Sequence, residues 1–181
     1  TSYVSGNIGD LVSDDGVYMN FRSYSASQTD AFIAYGDNTT ATLNIPKERT
    51  WTGANATWGS QSDLPDSGSP VRWVRVAYCP LESRSYEKIV VTLSDDGYLD
   101  AYVWDGTSWN VANDIGYVNT TANTYKCFDV AYEKTSGEAL LVYAIASNNT
   151  ARDLAYKTWI FGTGWSSDYY IDDGGHTTAI Q

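Results

Sequence analysis

KIVVTLSDDGYLDAYVWDGTSW, from Lys88 to Trp109, carries the pattern on which the fold turns. Lys88 to Leu93 is short and largely apolar, which fits a strand buried on both faces. Ser94 to Gly97 supplies turn chemistry, and the next run ends at Trp104. Asp105–Gly106 follows, and because glycine takes the positive φ of a tight reversal, this pair is a strong hairpin signal. Trp109 then opens a returning strand. The stretch reads as successive antiparallel strands joined by tight turns.

The same signal occurs three times. TWTGANATW (Thr50 to Trp58), VWDGTSW (Val103 to Trp109) and TWIFGTGW (Thr158 to Trp165) each hold a tryptophan pair around a glycine, and their first tryptophans recur about every 54 residues. Upstream of each lies an alternating segment ending in tyrosine: Val17 to Tyr24, Trp73 to Tyr78 and Cys127 to Tyr132. Between them sit Ala31 to Tyr35, Lys88 to Leu93 and Ala139 to Tyr143, the buried-strand candidates. Four short strands in about 50 residues is the arithmetic of a propeller blade, and such a unit must stack on neighbours to cover its faces. The expected fold is all-β, with three tandem antiparallel units of about 54 residues at 17–70, 71–125 and 126–181, blade-like or sandwich-like, preceded by an extra N-terminal strand within 1–16. Three units are too few for a closed propeller, which typically has about four to eight blades. Tyr3, Val4 and Ile8 of the extra strand are therefore candidates for adding to the edge of a neighbouring copy, head to tail.

Composition narrows the chemistry. The 181 residues carry a net charge of −11, which disfavours nucleic acid and anionic membrane surfaces as partners. The lone His176 and two cysteines cannot assemble a zinc site of the usual histidine and cysteine types, so no metal site is expected from them. No Ser-His-Asp order and no glycine-rich phosphate loop is present, and no enzymatic activity is expected. The longest apolar stretch, Ala139 to Ala146, is too short to span a bilayer. Asn38, Asn55, Asn119 and Asn148 each begin a glycosylation acceptor, and Cys79 with Cys127 permits one disulfide, which together point outside the cell or to its surface. A disulfide requires the first strands of units two and three to meet edge to edge, as in a sandwich, with Arg75 and Asp129 on the same face. Blades stacked face to face leave the sulfurs apart.

Six of the seven tryptophans form the three pairs, and charged residues share their strands. Trp51, Trp58, Trp104, Trp109, Trp159 and Trp165 are candidates for stacking on sugar rings, or for packing on one another within each hairpin. The segment VTLSDDGYLDAYVWDGTSWN, Val91 to Asn110, resembles a blade of the fucose-binding propeller lectins, over about 20 residues in each copy. The resemblance implies a sugar held between adjacent blades by an arginine, a glutamate and a tryptophan. Arg75, Asp100 and Trp104 are the nearest counterparts, with aspartate in place of glutamate, and the other copies offer Asp129 or Arg22. The acidic turns Asp14/Asp15, Asp95/Asp96 and Asp172/Asp173 place paired carboxylates before glycine, which suits either a Ca²⁺ ligand pair or a plain hairpin turn. Two functions are consistent with these residues. One is a non-enzymatic extracellular structural protein that self-assembles through unmatched terminal strands into a filament or array, and the alternative is a carbohydrate-binding, lectin-like module.

Overall fold

Strand alternation decides which residues each sheet buries, and here both faces of the middle sheet are apolar. The computed structural model of the chain describes residues 18–25, 28–36, 42–53, 56–118, 127–145 and 154–171. Three antiparallel sheets follow one another along the chain. The first holds β1 (Tyr18–Ser25), β2 (Gln28–Tyr35), β3 (Lys47–Thr52) and β4 (Thr57–Trp58), with β5 (Ser62–Asp63) also pairing with β3. The second holds β6 (Val71–Tyr78), β7 (Lys88–Ser94), β8 (Tyr98–Trp104) and β9 (Trp109–Tyr117). The third holds β10 (Phe128–Tyr132), β11 (Ala139–Ala144), β12 (Leu154–Ile160) and β13 (Gly164–Trp165), with β14 (Tyr169–Ile171) pairing with β12. The units expected from the repeat are these sheets, each built as a meander.

Ile89, Val91, Leu93, Leu99, Ala101 and Val103 turn toward the third sheet and join Phe128, Val130, Leu141 and Trp159 in one core. Val74, Val90 and Tyr102 turn the other way and pack with Phe32, Ala34, Leu64 and Val71 in a second. Burying each of the larger of these side chains stabilises by about 1.5–3 kcal/mol, and burial on both faces explains why Ile89, Val90 and Val91 run apolar without alternation. β6 lies against β1 and β2 on one side and β10 on the other, so the first strands of the sheets are neighbours and the sheets stack as blades.

That stacking corrects the expected disulfide. Cys79 and Cys127 are both thiols. Cys79 is buried just past the end of β6, where its N–H donates to Glu87 O at 3.0 Å, whereas Cys127 precedes β10 and its carbonyl accepts from Ala144 N at 2.9 Å. Sheets built alike run their first strands in the same direction, so residues after one strand and before the next lie toward opposite ends. Arg75 and Asp129, expected together only in the edge-to-edge arrangement, still meet between the stacked blades, as an ion pair with Nε and Oδ1 2.9 Å apart. The N-terminal strand residues Tyr3, Val4 and Ile8 lie outside the described residues.

Candidate functional site

Each hairpin brings its two tryptophans directly opposite one another: Trp51 with Trp58, Trp104 with Trp109, and Trp159 with Trp165. Ring centroids are 5.6, 5.4 and 5.6 Å apart, so the pairs pack on themselves. In the second hairpin Asp105 Oδ1 accepts from the N–H groups of Thr107 and Ser108, both at 2.8 Å. These bonds stabilise the carboxylate and hold its pKa down at about 2.

The pairs differ in what surrounds them. β7 and β8 set Lys88 opposite Trp104, and Lys88 points toward the first sheet. Its Nζ lies 4.6 Å from the ring centroid of Phe32, 5.3 Å from Trp104 and 5.5 Å from Trp109. Such a cation is held by the negative faces of the rings. Tyr78 meets Phe32 edge-on at 6.3 Å. Across the junction stands Glu48 of β3, opposite Ala34. Burial raises the Glu48 pKa and lowers that of Lys88, and the opposite charge of each partner counters the shift. Lys88 and Glu48 form no direct ion pair among the described residues. Glu48, Lys88, Trp104 and Trp109 are all half-buried, so an ammonium, a carboxylate and two indoles gather where the first two blades meet, each partly open to water.

At the matching place between the second and third sheets the acid is buried. Glu87 is fully buried; its Oε1 accepts from the Tyr132 hydroxyl at 2.8 Å and from Trp159 Nε1 at 3.1 Å, and its Oε2 from Arg84 at 3.3 Å. Arg84 also donates to the carbonyls of Ser136 and Gly137, each at 2.9 Å.

Arg75, Asp100 and Trp104 are not assembled as a group. Arg75 reaches the third sheet to pair with Asp129, while Asp100 lies on the face of β8 that meets the first sheet. Asp100 is buried beside Thr92 and Tyr102 and accepts from Asp114 N at 2.9 Å. Burial, with the charges of Asp114, Asp96 and Asp66 added, pushes its carboxyl up to about 6 despite that bond. In the acidic turn Asp95 pairs with Arg72, and Asp96 Oδ1 accepts from Tyr98 N at 3.2 Å, so both carboxylates serve the turn. Among the described residues no three His, Cys, Asp or Glu side chains gather as a metal site, and no helix is long and apolar enough to cross a membrane. Asp14, Asp15, Asp172, Asp173, His176 and the acceptors Asn38, Asn55, Asn119 and Asn148 lie outside the described residues.

Glu48 and Lys88 escaped the sequence reading. The available signal was slight: of the residues three before each first hairpin tryptophan, Glu48, Ala101 and Tyr156, only one is an acid. Nothing local says that Glu48 meets a lysine 40 residues further along.

No protein-family model and no curated protein sequence matches the chain. Solved structures do. An Aleuria aurantia lectin in complex with Fucα1-6GlcNAc superposes with a TM-score of 0.59 at 13% identity, over 91% of this chain and 47% of that one. A structure of Aleuria aurantia lectin described as a six-bladed β-propeller gives 0.59 at 12% identity, over 90% and 46%. A fucose lectin from Kordia zhangzhouensis in complex with methyl-fucoside gives 0.54 at 13% identity, over 86% of this chain and 100% of that one. The chain spans about half the length of the Aleuria lectin chains it matches. At such identities the likeness is one of fold: this is a run of three β-propeller blades, similar to those of fucose-binding propeller lectins.

Proposed function

We propose that the chain is a non-enzymatic carbohydrate-binding module that seats a sugar at the junction of its first two blades. The observation that carries this is the gathering of Glu48, Lys88, Trp104 and Trp109, all half-buried, where the first two blades meet. It is the chemistry the lectin resemblance implies, with lysine in place of arginine. An indole offers its face to the apolar side of a pyranose, the carboxylate accepts from one hydroxyl, and the ammonium donates to a neighbouring one. The solved neighbours described as lectins with bound fucosides support this reading over that of a filament subunit. A glycan partner, with the four glycosylation acceptors of the sequence, supports a location outside the cell or at its surface. A glycan array with α-methyl-L-fucoside as a soluble competitor tests the reading. Binding is expected, weakened about tenfold or more by Glu48→Gln and by Trp104→Ala. An array with no binder at all counts against it.

Self-association is a second proposal, carried by a separate observation. Leu140, Ile160, Tyr169 and Ile171, each 39–51% exposed, lie on the face of the third sheet turned away from the second. At the matching register in the second sheet, Ile89 is fully covered by the third. A face of this kind takes another sheet, and the partner we favour is the same face of a second copy. The far face of the first sheet, with Ala31, Ile33 and Tyr35, is already covered, which favours a two-fold pairing over head-to-tail stacking.

A further inference from the structure

The two junctions between the three blades are built at matching register and end in opposite chemistry. Strand pairing makes Lys88 opposite Trp104 equivalent to Ala139 opposite Trp159. Tyr78 and Tyr132 close the respective first strands. At the first junction Lys88 supplies a cation and Glu48 a carboxylate, both partly open to water. At the second, Ala139 has no side chain to reach the neighbouring blade, and Glu87, the residue just before β7, enters instead. Its carboxylate takes the indole N–H of Trp159 and the hydroxyl of Tyr132, the kind of donors a sugar hydroxyl would have to share. Arg84 locks the carboxylate from behind, and its guanidinium also covers the Phe161 ring at 5.0 Å. A fully buried carboxylate with three donors cannot be displaced without stranding its charge, whereas a half-exposed carboxylate and ammonium exchange water for hydroxyls at little cost.

Resting on the glycan-binding reading, we propose that of these two junctions only the first takes sugar. Glu87 closes the second as a permanent clasp, standing where a ligand would otherwise bond. Blades repeated in sequence are therefore not repeated as sites, and of these two junctions Glu48 and Lys88 mark the one that binds.

The test is an indole N–H titration of the ¹⁵N-labelled chain with α-methyl-L-fucoside, run in parallel with methyl galactoside and methyl mannoside. Trp104 and Trp109 are expected to shift along one isotherm while Trp159 and Trp165 stay in place. Glu48→Gln is expected to weaken that isotherm about tenfold or more, and Glu87→Gln to leave its Kd within about twofold while lowering Tm. Movement of Trp159 along its own or the same isotherm overturns the inference and leaves the lectin reading standing. So does a Glu87→Gln variant that folds yet binds as weakly as Glu48→Gln. If no indole moves with any sugar and the array is blank, the glycan-binding reading falls, and the inference with it.

Discussion

Asp100 shows most plainly what one residue does when an interface closes on it. Alternation on β8 places it between Leu99 and Ala101, which face the third sheet, so its own side chain must face the first. It is 1% exposed, and the charged groups that bear on it, Asp114, Asp96 and Asp66, are all acids. The folded carboxyl, with a pKa of about 6 against an ordinary 3.8, binds its proton more tightly than the unfolded chain does. Stability from this group therefore rises as pH falls through 6 and levels off below about 4, where the unfolded chain is protonated too. Asp105 and Glu133, held near 2 by backbone donors, act in the other direction, and the stability they contribute is lost as pH falls below about 5, within the lower part of that window. Thermal melts are expected to show Tm rising as pH falls from about 7.5 to about 5.5, above the range where Asp105 and Glu133 oppose it. Asp100→Asn keeps an acceptor for Asp114 N, and it is expected to remove most of the slope and to stabilise the protein at neutral pH by on the order of 1–3 kcal/mol. An unchanged slope in that variant rules Asp100 out as its source.

At the scale of the strand and the hairpin, much was legible. Lys88 to Leu93, SDDG and WDGTSW became β7, a tight turn and the β8–β9 hairpin, because each follows from backbone preference and burial within a few residues. Gly106 shows how local that logic is: its φ is +101°, which disfavours other residues, and an added Cβ would stand 2.8 Å from the Tyr86 ring. Gly106→Ala is expected to cost about 1–3 kcal/mol in denaturant melts, and Tyr86→Ala in the same background to recover only the steric share, since the backbone strain remains. Less legible was β9. Asp114 sits at φ 52° in a bulge opposite Asp100, so this strand runs unbroken for nine residues where its counterparts in the other sheets are split in two. No turn or hydrophobic signal marks that bulge, because what holds it is a buried carboxylate 14 residues away.

Across the whole molecule, the open face of the third sheet is the feature with a direct physical consequence. Sedimentation velocity over a concentration series is expected to show a reversible dimer, and Leu140→Asp to return it to monomer with little change in Tm, since Leu140 is already solvent-exposed in the single chain. A wild-type chain that stays monomeric at high concentration sinks the pairing.

The repeat, its period, the tryptophan pairs and the strand order were determined by the sequence alone, because they arise from alternation and turn chemistry within single units. Stacking as blades rather than as a disulfide-linked sandwich was decided only by tertiary structure, since it depends on which faces of separate units meet. The same holds for the site. Arg75, Asp100 and Trp104 stand close in sequence yet are divided between two faces of one sheet, while Glu48 and Lys88 come from different blades and meet because the blades pack. Between similar hairpin signals, a lysine in one copy and an alanine in the next mark the half-exposed junction from the one that Glu87 fills.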